Sequence, residues 1–222
     1  MKDSDHIDNV MGILQRETRK FKTPMAVEIS KESSQVTRPF RVLISTVLSS
    51  RTKDTVTREA SRRLFKLAQS PLGILELPTD KIEEAIYPVG FWKTKAKRLQ
   101  SLCALLIEDF DSQVPNSLKE LLRLPGVGRK TANLVLGVAF GIPAICVDTH
   151  VHRICNRLGY VKTGKPEETE KVLRERLPER HWIPINEYMV RWGQNICVPT
   201  SPLCSKCAIK ELCSRIGVTK SR

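Results

Sequence analysis

Lys130 is the first residue in this chain whose type and position could support covalent chemistry. It ends the segment LPGVGRK (residues 124–130), and an apolar run, TANLVLGVAF, follows it. Gly126 and Gly128 can adopt backbone conformations closed to other residues, so the segment predicts a tight turn leading into a helix. Free N–H groups in the first turn of such a helix suit a phosphate. A lysine there can act as a nucleophile, although most lysines in a first helical turn are solvated surface charges.

The residues around this turn support a helix-hairpin-helix arrangement. Ser117 and Glu120 have the spacing of a capping box, which predicts that a helix begins there and ends before Pro125. A Walker A loop is excluded, because that motif has glycine directly before its lysine and this chain has Arg129. The spacing alone therefore indicates a phosphate-binding turn and does not specify catalysis.

Four cysteines near the end of the chain form a second group that could do chemistry. They follow the spacing C-x6-C-x2-C-x5-C at Cys197, Cys204, Cys207 and Cys213. Four thiolates in so short a segment can bind one metal centre. All-cysteine zinc sites usually have two short Cys-x-x-Cys pairs, whereas this segment has one, which favours a [4Fe–4S] cluster and leaves zinc as the alternative.

The other three cysteines, Cys103, Cys146 and Cys155, lie in apolar surroundings and are interpreted as buried packing residues. Disulfides are not expected, because the chain has an odd number of cysteines, seven, and no secretion signal.

The charge of the chain favours a polyanionic partner. It has 37 basic and 24 acidic side chains, a formal charge of +13. Residues 34–144 carry 17 basic against 10 acidic side chains and residues 145–222 carry 14 against 8, so the excess belongs to the folded body. No apolar run reaches the length of a membrane span, and we expect an intracellular protein without a membrane partner.

Helical periodicity dominates the pattern and predicts an all-α fold. Ile7, Val10, Met11 and Leu14 share one helical face, and a mostly apolar helix is expected over 39–48. Further helices are predicted at 53–68, 79–86, 92–110, 117–124, 129–140, 149–158, 167–177 and 182–194.

Taken in order, four motifs and the cysteine tail resemble the endonuclease III family of helix-hairpin-helix DNA glycosylases. The motifs are LSSRTKD (48–54), VGFWKTKA (89–96), LPGVGRKTA (124–132) and VDTHVHR (147–153). The resemblance implies a two-lobed fold with a C-terminal iron–sulfur loop. One domain would span 32–142 and hold the hairpin; the other would join 1–31 to 143–222.

The resemblance also implies an activity: a bifunctional DNA glycosylase and AP lyase that removes oxidised pyrimidines, of the thymine glycol type, from duplex DNA. Lys130 would be the nucleophile, and Asp148, eighteen residues later, would stabilise positive charge on the sugar. The four cysteines would hold a [4Fe–4S] cluster. Locally, Asp148 also fits a simple helix N-cap, and the two roles are compatible.

Further DNA contacts follow from the same resemblance. Gly126, Val127 and Gly128 would present N–H groups to a phosphate, with Arg129 beside them. Phe91 stands where the family has a wedge residue, often Leu, that enters the base stack. Arg51 stands where many members have a Gln that fills the gap left by the flipped nucleotide. The loop 198–203 lacks the basic residues that members often have there.

Two alternative functions share some of these features. Mismatch-specific base glycosylases share the hairpin and the cluster, but they usually lack a lysine at position 130. A non-enzymatic helix-hairpin-helix DNA-binding module would need neither Lys130 nor Asp148. The expected partner is double-stranded DNA with oxidised pyrimidines or abasic sites, bound by a monomer.

Overall fold

The N-terminal helix shows how amphipathic periodicity becomes structure. The computed structural model describes the backbone from residue 3 and the side chains from residue 5, in both cases to residue 222. In α1 (Asp3–Glu17), the side chains of Ile7, Val10, Met11 and Leu14 are buried on one face, as the sequence predicts. No strand occurs within residues 3–222, so the all-α prediction is confirmed for that range.

The chain divides into two compact units, one of which is a single continuous segment, Met25–Ile142. Its central helix is α3, whose side chains from Val42 to Leu48 are buried and which packs against α2, α4 and α9. The helices of this unit are α2 (Met25–Glu32), α3 (Arg38–Ser49), α4 (Asp54–Leu67), α5 (Pro71–Glu76), α6 (Thr79–Ile86), α7 (Trp92–Phe110), α8 (Leu118–Leu121) and α9 (Arg129–Val135). A π-helical turn, Leu136–Phe140, continues α9 and ends at Gly141, which has a φ of +69°.

The other unit joins the N-terminal segment up to Pro24 to Pro143–Arg222. Its helices are α1, α10 (Thr149–Leu158), α11 (Pro166–Arg176) and α12 (Pro184–Asn195). Helix α12 packs against both α1 and α10, and Trp192 lies in the apolar core that these three helices share. Short 3-10 turns, Cys204–Lys206 and Lys210–Leu212, carry the cysteine segment.

Several helix bounds differ from the sequence-based prediction. Helices α6, α7 and α10 have the predicted bounds, whereas α8 is one turn long rather than extending over 117–124. Helices α2 and α5 were not predicted. In α5, Pro71 occupies the first turn, where a proline is tolerated, and Ser70 caps the helix by accepting from the Gly73 N–H.

The division into units also differs from the predicted domain boundary after residue 31. Helix α2 packs on α3 and α4, so residues from Met25 onward belong to the continuous unit. Within the described part of the chain, no helix is long and apolar enough to cross a membrane.

Candidate functional site

The hairpin before Lys130 is built by one glycine in a left-handed conformation. Ser117 caps α8, with its Oγ accepting from the Glu120 N–H at 3.3 Å and lying 2.7 Å from Glu120 Oε2. Gly126 has a φ of +83°, and a Cβ at this position would lie 2.2 Å from Cδ of Arg98. Both observations require glycine at position 126.

Gly128 has a different role. It is the N-cap of α9 with a φ of −93°, and a Cβ there would meet no atom within 4 Å. The expectation that both glycines supply unusual φ angles is therefore wrong for Gly128. Gly128 is exposed, so a ligand can approach its backbone directly.

The backbone amides of the hairpin are not equally available to a phosphate. The Val127 N–H donates to the Leu124 carbonyl at 3.1 Å and closes the turn, and its side chain is buried. The structure thus does not support the predicted phosphate contact from this amide. Among the described residues, the N–H groups of Gly126, Gly128 and Lys130 have no hydrogen-bond acceptor.

Lys130 is the second residue of α9, and its side chain is exposed next to these open amides. Arg129 before it is also exposed, as an anion-binding role requires. The hairpin thus places a primary amine, a guanidinium and free N–H groups within one helical turn.

Asp148 caps α10 in the other unit. Its Oδ1 accepts from the N–H groups of His150 at 2.8 Å and Val151 at 2.9 Å. The N-cap interpretation is therefore confirmed. The carboxylate is partly exposed, and Oδ2 accepts no hydrogen bond within the described part of the chain, so one oxygen remains available for a ligand.

Phe91 and Arg51 lie together in the continuous unit. The Phe91 ring is 61% exposed, which a residue that enters DNA must be, and the Arg51 guanidinium lies 5.7 Å from its centroid. The next residue, Trp92, is instead packed edge-on against Tyr87 at 5.2 Å between ring centroids. Both Phe91 and Arg51 have left-handed backbones, with φ of 60° and 52°.

Lys95 holds the segment that carries Arg51. Its side chain is 2% exposed, and Nζ donates to the carbonyls of Leu48 at 2.8 Å and Ser50 at 2.7 Å and lies 3.4 Å from Thr52 Oγ1. Burial lowers the pKa of Lys95 to about 8, and the nearby charge of Arg98 contributes. The side chain is therefore still mostly an ammonium at neutral pH.

Sequence reasoning missed Lys95, although a signal was present. Position 95 falls on the same helical stripe as the buried residues Leu99, Leu102 and Leu106 of α7. A lysine in the register of an apolar stripe is a candidate for a buried, specifically bonded amine.

The four tail cysteines line one cavity together with Ile154, Leu158 and Trp192. Its empty volume is about 420 Å³, part of it open to solvent. Among the described residues, no group of three or more His, Cys, Asp or Glu side chains is arranged to hold a metal ion. The four thiols that line the cavity are the donor type that either a [4Fe–4S] cluster or an all-cysteine zinc site uses.

Two polar groups at this cavity are suited to thiolate ligands. Arg157 Nη1 lies 3.3 Å from Cys197 Sγ and donates to the Val198 carbonyl at 2.8 Å. Burial raises the pKa of the Cys207 thiol, and the nearby Trp192 indole N–H is one of the groups that oppose this rise. The Trp192 N–H is buried and has no hydrogen-bond partner of ordinary geometry among the described residues. A cation and an N–H donor beside the sulfurs would stabilise negative charge on them.

The remaining cysteines behave as predicted. Cys103, Cys146 and Cys155 are buried and not joined in disulfides, and burial raises the pKa of Cys103 and Cys155 to about 12.

Residues 44–179, more than half of the chain, match the HhH-GPD superfamily of base excision DNA repair proteins. Endonuclease III of Thermotoga maritima is 51% identical over 177 residues, which cover 80% of this chain and 83% of that protein. The chain belongs to the endonuclease III family. It is accordingly a base excision repair enzyme, a DNA glycosylase and AP lyase.

Other members of the endonuclease III family are similar to this chain in structure or in sequence. A solved structure of a trapped covalent intermediate of endonuclease III with DNA superposes with a TM-score of 0.82, at 33% identity and with 97% of both chains covered. Some relatives are longer. A chloroplastic homologue from Arabidopsis thaliana is 46% identical over 185 residues, and the chain spans 48% of its length.

Proposed function

We propose that this enzyme removes oxidised pyrimidines of the thymine glycol type from duplex DNA and nicks the resulting abasic site by β-elimination. In this proposal it acts as a monomer, in a compartment that holds DNA, and also accepts preformed abasic sites. The observation that carries the proposal is the exposed Lys130 amine in the first turn of α9, next to amides that have no acceptor among the described residues.

The first step is recognition of the damaged strand. The N–H groups of Gly126 and Gly128 bind a phosphate at the positive end of α9, and Arg129 adds a second donor. The amine cannot reach C1′ while the base is stacked in the duplex, so the nucleotide must rotate out of the helix. Phe91 enters the stack, and the Arg51 guanidinium offers its donors to the orphaned opposite base.

The chemical steps then follow from an amine and a carboxylate. Lys130 Nζ forms a bond to C1′ while the bond from C1′ to the base breaks, and the base leaves with that electron pair. The free oxygen of Asp148 stabilises the positive charge that develops on the sugar and assists proton transfer. Opening of the sugar gives a Schiff base on Lys130, and loss of a C2′ proton expels the 3′ phosphate.

The tail cysteines Cys197, Cys204, Cys207 and Cys213 are proposed to hold a [4Fe–4S] cluster. The fit rests on the shared cavity, on Arg157 and on the Trp192 N–H. When bound, the cluster would connect four points of a segment that has only short 3-10 turns. Its role here is structural.

Borohydride trapping tests the activity and the nucleophile together. Wild-type protein incubated with a thymine glycol duplex and borohydride is expected to give a covalent protein–DNA species. Lys130→Gln is expected to give none while still binding the duplex, because its phosphate contacts come from backbone N–H groups.

Lys66→Gln is the matched control. Lys66 is an exposed lysine of the same unit, so this variant loses the same charge and should be trapped at the wild-type rate. Trapping that persists in Lys130→Gln would place the nucleophile elsewhere. A wild type trapped on abasic duplexes but inactive on thymine glycol would refute the substrate.

A further inference from the structure

Arg51 and Phe91 occupy unusual backbone conformations at neighbouring places. Of the six non-glycine residues with positive φ in the described chain, these two are in contact through the guanidinium and the ring. A left-handed conformation is unfavourable for arginine and for phenylalanine, and it persists only where the surroundings enforce it. Some group must therefore enforce it at both positions.

Lys95 is placed to hold the segments that carry Arg51 and Phe91 in these conformations. Arg51 follows the C-terminus of α3, where the carbonyls of Leu48 and Ser50 accept from the Lys95 ammonium. Carbonyls at a helix C-terminus lack partners within the helix and favour a positive charge, so this side chain caps α3. Phe91 precedes α7, and its carbonyl accepts from the Lys95 backbone N–H at 2.9 Å, a main-chain bond of the first helical turn that does not involve the side chain. The Lys95 side chain reaches the Phe91 segment through Thr52, whose Oγ1 lies 3.4 Å from Nζ.

A second contact fixes the distance between the two segments. The Gly90 N–H donates to Thr52 Oγ1 at 3.1 Å. A Cβ on Gly90 would lie 2.8 Å from the Arg51 carbonyl oxygen, so the two backbones approach as closely as glycine permits.

We propose that Lys95 is a positioning residue that holds Arg51 and Phe91 as one preassembled unit, which opens the duplex at the lesion. The inference rests on the proposed DNA contacts of that pair and adds the residue that makes them act together. Lys95 touches neither the substrate nor the reacting atoms. Loss of the Lys95 side chain leaves two carbonyls without their donor and removes the contact with Thr52. The Arg51 segment, and through Thr52 the Phe91 segment, then lose the geometry that insertion requires.

The central experiment separates duplex opening from chemistry. Lys95→Met keeps the chain length of the side chain but removes its donors. We expect its borohydride trapping rate on an abasic duplex to fall by about tenfold to a hundredfold, the range in which misplacement of a positioned group acts. On the same abasic strand without its complement, which offers no stack to open, the rate should stay close to wild type. Lys66→Met serves as the control for loss of a lysine.

A second measurement does not depend on catalysis. A duplex with 2-aminopurine opposite an unreactive abasic analogue should brighten when the wild type binds and unstacks that base. Lys95→Met should bind and give a smaller rise, and Lys95→Arg, which retains charge and donors, should recover part of it. A wild type that brightens this duplex but is not trapped on any substrate would refute the proposed function and leave this inference standing.

Two outcomes would overturn the inference. One is an equal loss of trapping on duplex and single strand in Lys95→Met, matched by a lower melting temperature, which indicates a purely structural residue. The other comes from Arg51→Ala, Phe91→Ala and the double variant, which test the unit even where Lys95→Met does not fold. A preassembled unit predicts that the double variant loses little more fluorescence than either single variant, whereas additive losses contradict it.

Discussion

The two oxygens of Asp148 are used differently. Oδ1 accepts from two N–H groups at the start of α10, while Oδ2 has no hydrogen-bond partner in the described chain. Capping fixes the orientation of the carboxylate, since both donors bind the same oxygen. The sequence predicts that capping and catalysis are compatible at Asp148, and this geometry leaves one oxygen for the proposed catalytic role.

This division predicts how an Asp148→Asn variant behaves. Asparagine is about as good an N-cap as aspartate, so the unfolding free energy should change by only about 0.5 kcal/mol or less. The amide has no negative charge to stabilise the sugar, and single-turnover base excision should fall on the order of a hundredfold to a thousandfold. Gel-based excision assays and thermal unfolding measure the two effects.

Asp148→Ala is the comparison for this variant. It removes the cap and should cost roughly 1 kcal/mol of stability in addition to the activity. If Asp148→Asn loses stability as Asp148→Ala does, and activity only in proportion, Asp148 is an N-cap and nothing more.

At single positions, the sequence predicted residue types better than their exact interactions. Phe91 is exposed and Trp92 is packed, a difference between two adjacent aromatic residues that residue type alone does not predict. The amide of Val127 closes its own turn, and Lys95 is buried against carbonyls distant in the chain. Such features depend on the tertiary path of the backbone, which short motifs do not encode.

The hairpin is the element whose geometry most directly controls the position of Lys130. A side chain at Gly126 would force a left-handed φ on a non-glycine residue and bring Cβ against Arg98, whereas Gly128 has an ordinary φ and open space. The two glycines of one motif should therefore respond differently to the same substitution.

Gly126→Ala is expected to destabilise the protein by about 1–2 kcal/mol from backbone strain, and by more if Arg98 cannot move aside. Gly128→Ala should cost about 0.5 kcal/mol or less, because its backbone is already in a common conformation. Denaturant unfolding of the two variants provides the comparison. Equal losses would show that the strain at Gly126 does not determine the stability of the hairpin.

Helices were predictable where apolar periodicity is long and uninterrupted, as in α7 and α10. Short elements were not. Helix α8 is a single turn because the chain already enters the hairpin at Leu122, and α5 begins at a proline, a residue that more often ends a helix than starts one. In short segments, the same residue types can cap a helix or break it, so tertiary packing decides whether a helix forms and where it ends.

On the scale of the whole molecule, the cysteine segment is joined to α10 mainly by hydrogen bonds. Arg157 donates to the carbonyls of Val198 and Pro199, and Cys213 Sγ lies 3.4 Å from the Arg157 carbonyl. Only Ile209 among the residues from 205 onward is a buried hydrophobic side chain. A bound inorganic group would therefore contribute much of the order in this segment.

The purified protein is expected to be brown and to contain about four iron atoms per chain. Cys207→Ser should lose the visible absorption and lower the melting temperature, since one ligand of the cluster is gone. Cys103→Ala, which removes a buried thiol of the other unit, should keep the iron. Colourless protein with one zinc per chain would contradict the assignment.

The discontinuous unit has a consequence for synthesis of the protein. The buried face of α1 packs into a core whose other members begin at Ile145, and Asp8 binds His181 across 173 residues of sequence. At a typical rate of 5–20 residues per second, the ribosome needs on the order of 6–25 s between completing α1 and reaching that partner segment. During this interval the continuous unit can fold as it emerges, while Ile7, Val10, Met11 and Leu14 of α1 lack the partners that bury them. The apolar face of α1 must therefore be kept from aggregating, and chaperones that bind such segments should engage α1 before residue 145 is synthesised.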